Sequence, residues 1–262
     1  MLDASQRAEA ADLLWNAERD RVPVDPLTGA FPGIDVVDAY EIQLRNIRRR
    51  LTRPGVSVRG HKVGLSSEVM QRMMGVDEPD YGHLLSDMVL SEHTPVDTSR
   101  YCFPRIEVEM GYVLGESLPG EGCTEKDVIA ATEYVVASVE LIDSRITDWR
   151  IALADTIADN ASSAGVVLGA TRVSPGEVDL ADIGAVLYRG GEEIARGNTS
   201  AVLGDPTAAV AWLARKVAGF GVRLEAGHVI LPGSCTAAVD ARPGDDFRAE
   251  FDGLGSVSVR FA

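Results

Sequence analysis

At Pro54-Gly55 the spacing of the apolar residues changes, and that switch removes most folds from consideration. Before it, apolar positions recur at three- and four-residue steps. Ala8, Ala11, Leu14 and Trp15 form one stripe within the first 22 residues. Val36, Tyr40, Leu44, Ile47 and Leu51 form a second after Asp35, so two helices are predicted, joined by the proline-rich loop 23–35. After the switch, short alternating runs dominate: VSVRGHKVGL (56–65), RIEVEMGYVLG (105–115), VASVELI (136–142), GVVLGA (165–170) and AVLYRGGEEIARG (185–197). HVILPG (228–233) and two strands around Asp252-Gly253 complete the set. Helices interrupt it at 66–75, 124–135 and 206–221. Helices first and then many strands, without a regular strand–helix alternation, specify an α+β chain rather than a doubly wound sheet. The expected organisation is a helical N-terminal region, 1–55, packed on a β-rich domain, 56–262.

Charge narrows the partners. Forty acidic residues against 25 basic give a net charge of −15, which offers no footprint for nucleic acid or for an anionic membrane surface. An anionic substrate would need a local cation, either a lysine or a metal. The arginines at 45, 48, 49, 50 and 53 are read as a solvated helix end that suits the macrodipole. Three widely spaced cysteines fit neither a disulfide framework nor a zinc site, and the first residues lack the pattern of a signal peptide. A cytoplasmic, soluble protein is expected. Neither G-x-G-x-x-G nor a P-loop motif is present, and no G-x-S-x-G marks a serine hydrolase.

The chemistry begins at RIEVEM. Side chains alternate faces along a strand, so Arg105, Glu107, Glu109 and Gly111 share one face and Ile106, Val108, Met110 and Tyr112 the other. Such a face is either wet and charged or a pair of oxygen ligands for a hard divalent cation. Glu140 is the candidate third ligand. It lies in the apolar run of VASVELI, where a carboxylate needs a partner, which is either Arg145 or a metal. Asp143 is a weaker substitute.

Lys62, between Gly60 and Gly64, is either a surface lysine or one drawn into a pocket, and His61 beside it reads as structural. Asp80, in DEPDYG, sits in a turn setting. Asn160 and Ser162, in DTIADNASSAG, either cap the chain or line a site. In LPGSCT the backbone N–H groups, Ser234 and Thr236 either make a tight turn or cup a carboxylate.

In order, GHKVGL, VDEPDYGHLLSDM, PRIEVEMGYVL, VELIDSRITDW, DTIADNASS, LPGSCT and GLGSVSVRF resemble the 2-hydroxypenta-2,4-dienoate (2-oxopent-4-enoate) hydratases of the fumarylacetoacetate hydrolase superfamily. The likeness runs from about residue 35 to the end. It implies a mixed β-roll or barrel preceded by helices, in a homo-oligomer that can associate with other enzymes of its pathway. It implies that Glu107, Glu109 and Glu140 hold Mg²⁺ or Mn²⁺, that Lys62, Asp80 and Asn160 are catalytic, and that Ser162, Ser234 and Thr236 line the pocket of a small 2-hydroxydienoate or 2-keto acid. Hydrolases of the superfamily usually carry a histidine–glutamate pair after the lysine strand. Residues 66–75 have Glu68 but no histidine, which argues against hydrolysis. The sister branch, the 4-oxalocrotonate (2-oxo-3-hexenedioate) decarboxylases, shares the motifs, and a non-catalytic partner subunit would keep the fold.

Overall fold

The computed structural model describes the backbone of residues 1–262 and every side chain except that of Met73. Asp3 and Asp35 cap the two predicted helices, α1 (Ala4–Asp20) and α3 (Val36–Leu51), each through a reciprocal capping box. The loop between them contains one short turn of helix, α2 (Leu27–Ala30). Asp38, fully buried, fastens the two together: it accepts hydrogen bonds from the Leu2 amide at 2.8 Å and from Arg7 Nε at 2.8 Å. The basic end of α3 does more than meet solvent, since Arg49 and Arg53 lie over the Trp15 ring of α1 and Arg50 pairs with Glu18 and Asp87.

The strands follow as β1 (Val58–Gly64), β2 (Asp80–Leu85), β3 (Val89–Leu90), β4 (Arg105–Leu114), β5 (Thr132–Ile142) and β6 (Ser163–Leu168). After them come β7 (Gly184–Arg189), β8 (Glu192–Asn198), β9 (Val229–Leu231), β10 (Val239–Asp240), β11 (Asp246–Phe251) and β12 (Gly255–Arg260). Four helices interrupt them: α4 (Glu68–Met74), α5 (Glu125–Ala131), α6 (Leu153–Ala158) and α7 (Pro206–Ala218). The larger sheet has the order β2-β1-β9-β4-β5-β6-β3, with β10 also on β4, and the smaller has the order β12-β11-β7-β8. The larger sheet is mixed, because β9 is parallel to β1 but antiparallel to β4.

Among the boundaries that differ from the sequence expectation, two have a clear physical cause. The helix predicted over 124–135 stops at Ala131, and Thr132-Glu133-Tyr134-Val135 already belongs to β5. Threonine, tyrosine and valine favour strand, and pairing of Tyr134 and Val135 with β4 overrides the helical propensity. The strand expected over 228–233 is only three residues long, because Pro232 cannot donate to a ladder.

The main core covers one face of β4 and β5: Ile106, Val108, Met110 and Tyr112 together with Val135, Ala137, Val139 and Leu141. Helix α7 and the smaller sheet pack into the same core. The opposite face of the same strands carries the charged residues, and from Glu109 on it too is shielded from water. No helix is long and apolar enough to cross a membrane.

Candidate active site

Strand register gathers the acids. Glu107 of β4 stands directly opposite Glu140 of β5, and Glu109 opposite Ser138, so three carboxylates occupy adjacent positions on one face. One oxygen from each lies within 4.8 Å of the others. Glu109 and Glu140 have no solvent exposure and Glu107 is half-buried. A wet strand face is therefore excluded.

Lys62 enters this face from β1. Its ammonium lies 3.3 Å from Glu140 Oε2 and donates to the Ala161 carbonyl at 3.1 Å, and its side chain is 4% exposed. Arg145, the alternative partner for Glu140, is instead committed to the Asp159 carboxylate and to the carbonyls of Asp143 and Asp159. Asp143 accepts from the Cys102 and Phe103 amides and stays outside the cluster. Arg105 leaves it as well, pairing with Asp240 at 2.9 Å.

Asp80 opens β2 opposite Gly64 of β1. A Cβ at Gly64 would lie 2.1 Å from Asp80 Oδ1 and 3.5 Å from Lys62 Nζ, so the missing side chain is what admits the carboxylate. Asp80 Oδ1 is buried and has no hydrogen-bond donor among the described residues. Burial pushes its pKa up to about 6, against the opposing pull of Lys62. Burial also lifts Glu109 and Glu140 above the ordinary carboxylate range; neighbouring glutamates add to this, and Lys62 opposes it. For Lys62, burial disfavours the charge, but Glu140, Glu107, Asp80 and Glu109 outweigh it and hold the amine protonated.

The segment 160–162 closes one side. Asn160, Ala161 and Ser162 have φ of 57°, 49° and 57°, three successive residues in the left-handed region, at roughly 1 kcal/mol or more each. The Asn160 side chain holds this turn by bonding both ways to the His83 backbone, accepting at 2.8 Å and donating at 3.0 Å. One N–H and one oxygen lone pair of its amide are thus used, and the Ala161 carbonyl is what reaches Lys62. Ser162 Oγ is buried without a partner among the described residues. Ser163, which sequence reasoning passed over, donates from Oγ to Glu140 Oε1 at 2.8 Å.

The LPGSCT loop contributes through its backbone. Ser234 Oγ is bonded to the amide and carbonyl of Val108, which pins the loop to β4, while Thr236 Oγ1 turns to the Ala237 carbonyl. The pinned loop brings the Gly233 amide 2.7 Å from Glu109 Oε2. Gly233 has φ 131°, and a Cβ there would lie 1.7 Å from Ser66 Oγ, so only glycine fits.

After these bonds, Glu109 Oε1 and Glu140 Oε2 are buried acceptors with no hydrogen-bond donor among the described residues, although Lys62 faces the latter. An all-oxygen set with spare carboxylate atoms fits a hard divalent cation. Three carboxylates this close, facing the single ammonium of Lys62, are otherwise unfavourable.

Residues 63–262 match the fumarylacetoacetate (FAA) hydrolase C-terminal family. Over 256 residues the chain is 44% identical to a 2-keto-4-pentenoate hydratase of Paraburkholderia xenovorans (strain LB400), covering 98% of this chain and 95% of that protein. It is 41% identical to a 2-oxo-hept-4-ene-1,7-dioate hydratase of Escherichia coli, across the full length of both. Among solved structures, 4-oxalocrotonate decarboxylase from Pseudomonas putida G7, complexed with magnesium and adipate, superposes with a TM-score of 0.96 at 38% identity, covering 100% of this chain and 99% of that one. The chain belongs to the fumarylacetoacetate hydrolase family.

Proposed function

We propose that the protein is a hydro-lyase that converts 2-hydroxypenta-2,4-dienoate, or a short alkyl homologue, to 4-hydroxy-2-oxopentanoate in the meta-cleavage catabolism of aromatic compounds. The observation that carries this reading is the convergence of Glu107, Glu109, Glu140, Lys62 and Asp80 on one buried sheet face. The full-length likeness to a 2-keto-4-pentenoate hydratase supports it. Glu107, Glu109 and Glu140 would hold Mg²⁺ or Mn²⁺, which when bound polarises the substrate's C2 oxygen and stabilises an enolate.

The chain's own groups do the rest. Lys62, held protonated by its acidic neighbours, offers its remaining N–H to the substrate carboxylate. Asp80, with a pKa near 6, is ionised at neutral pH and accepts the proton of the C2 hydroxyl. The same carboxyl then delivers a proton to C5, giving the 2-keto-3-enoate. Water adds its oxygen at C4 and a proton reaches C3, which completes the hydration. Ser162 Oγ, without another partner among the described residues, holds the attacking water. Asn160 serves by fixing the turn that aims Ala161 at Lys62.

A second reading, decarboxylation of 2-oxo-3-hexenedioate, draws on the likeness to the Pseudomonas putida decarboxylase. That substrate carries two carboxylates. Among the described residues Lys62 is the one buried cation facing this cluster, because Arg145 is matched by Asp159. One cation and one metal site suit a monoacid, which favours the dienoate over the hexenedioate as substrate, and the 44% identity to a 2-keto-4-pentenoate hydratase favours hydration. We also place the enzyme in the reducing cytoplasm, in keeping with its free cysteines, and in a homo-oligomer. Freshly generated dienoate and hexenedioate, each incubated with Mg²⁺, separate the two activities by product and by CO₂ release.

A further inference from the structure

Strand β2 ends the larger sheet, so only one of its edges is paired, with β1. The main-chain groups that an edge strand turns away from its neighbour need partners of their own. Beside β2 two side-chain amides stand where a further strand would. Asn160 takes the amide and the carbonyl of His83, at 2.8 and 3.0 Å. Gln43, reaching in from α3, takes the carbonyl of Tyr81 at 2.9 Å. The strand that opens on Asp80 and pairs with the Lys62 strand is therefore held along its outer edge by Gln43 and Asn160.

Gln43 does more than close an edge. It is 1% exposed, and Nε2 spends its second hydrogen on the Ile157 carbonyl of α6, at 2.8 Å. With carbonyls facing both hydrogens the amide has one admissible orientation, so Oε1 accepts from His83 Nδ1 at 3.1 Å. The neutral His83 ring thereby carries its proton on Nδ1. One buried amide thus ties together β2, α6 and the His83 side chain.

These ties lead to the site. Three residues beyond Ile157 begins the turn 160–162, in which Asn160 grips His83 and the Ala161 carbonyl accepts from Lys62 at 3.1 Å. A Cβ at Gly82 would lie 2.3 Å from the Asn160 carbonyl oxygen, so the turn rests directly on β2 and moves with it. The other branch ends on Tyr81, the residue after Asp80. Glu107, Glu109 and Glu140 lie on β4 and β5, and Gln43 bonds to neither strand.

We propose that Gln43 is a positioning residue for the reaction. It sets the spacing between β2 and the end of α6, and with it the places of Asp80 and Lys62. The proposal rests on the roles given to those two groups in the hydratase reading.

Gln43→Met keeps the volume and removes the amide. With Mg²⁺ and dienoate its kcat should fall about 10- to 100-fold, as for a displacement approaching 1 Å at the reacting groups, while Mg²⁺ affinity stays within about threefold of the parent's. Gln43→Glu, which turns carboxyl oxygens on two carbonyls, should lose at least as much. The control is Asn46→Ala, one turn further along α3, which removes the bond to the Ala11 carbonyl and loosens α3 from α1; its kcat should match the parent's. In ¹⁵N-histidine spectra of the full chain, a readout independent of turnover, His83 should be protonated on Nδ1 in the parent and lose that preference in Gln43→Met. Parent-like kcat in Gln43→Met, a parallel loss of Mg²⁺ affinity, an equal loss in Asn46→Ala, or a parent His83 protonated on Nε2 would each overturn the proposal alone. Absence of dienoate turnover in the parent would overturn the hydratase reading and this proposal with it.

Discussion

Replacing Gly64 by alanine is the smallest change that reaches the proposed proton carrier. The new Cβ would lie 2.1 Å from Asp80 Oδ1 and 3.2 Å from its Cγ, whereas Lys62 Nζ at 3.5 Å is at ordinary contact. A relaxed carbon–oxygen contact needs about 3.3 Å, so the Asp80 carboxylate must withdraw by roughly 1 Å while Lys62 keeps its place. Gly64 does not lie in the left-handed region, so the substitution is steric rather than conformational. Overpacking of this kind costs about 1–3 kcal/mol of stability. A displacement of about 1 Å at a group in the reaction costs on the order of 100-fold in rate. We therefore expect kcat for the dienoate to fall about 100-fold, with Mg²⁺ affinity within about threefold of the parent, because no glutamate is touched. Steady-state kinetics, calorimetric Mg²⁺ titration and thermal unfolding measure these three quantities. Gly64→Ala/Asp80→Ala, which removes the clash, should regain stability relative to Gly64→Ala and be no less active than Asp80→Ala alone. A folded Gly64→Ala enzyme with kcat within about threefold of the parent would refute the role given to Asp80.

Ser163→Ala removes the donor to Glu140 Oε1, and divalent-ion affinity should drop about 10- to 100-fold by titration calorimetry; unchanged affinity would mean that the hydroxyl does not hold the ligand. Lys62→Met breaks a buried ion pair and should destabilise the metal-free protein by about 3–5 kcal/mol and lower turnover by about 100-fold or more; a thermal midpoint equal to the parent's would contradict the pairing. In metal-free protein the raised carboxyl pKa values make stability fall as pH rises: Asp80's share is full below its ordinary 3.8 and is lost through about 6, with Glu109 and Glu140 acting in the same sense. Burial of neutral His83 works oppositely, its share being full above 6.5 and lost as pH falls through about 4. Saturating Mg²⁺ should hold the glutamates ionised and flatten their part of the high-pH loss; denaturant melts across pH with and without Mg²⁺ would show otherwise if the two curves run parallel.

Much of the site was legible because strand alternation is local. E-x-E within RIEVEM fixes two carboxylates on one face, and the apolar company of Glu140 signals that it is buried. The cross-strand register that sets Glu107 against Glu140 is not written in either segment. Nor is the partner of Glu140: Arg145 is five residues away in sequence, yet Asp159 takes it, and Lys62 arrives from β1, separated from β5 in the sheet by β9 and β4. The turn at 160–162 was opaque for a different reason. Asparagine enters the left-handed region readily, but alanine and serine do not, so nothing local announces three such residues in a row. In LPGSCT the backbone N–H groups were legible as candidates to cup a carboxylate beside Ser234 and Thr236, but that the Gly233 amide is the one, and Glu109 the carboxylate, is set only by the fold.

The most direct test of the account is the fate of freshly generated 2-hydroxypenta-2,4-dienoate with the purified protein, in Mg²⁺ and in EDTA, beside a parallel incubation with 2-oxo-3-hexenedioate. The account predicts Mg²⁺-dependent formation of 4-hydroxy-2-oxopentanoate, arrested by EDTA, with no CO₂ from the diacid. CO₂ release from the diacid, or dienoate hydration that proceeds undiminished in EDTA, would contradict it.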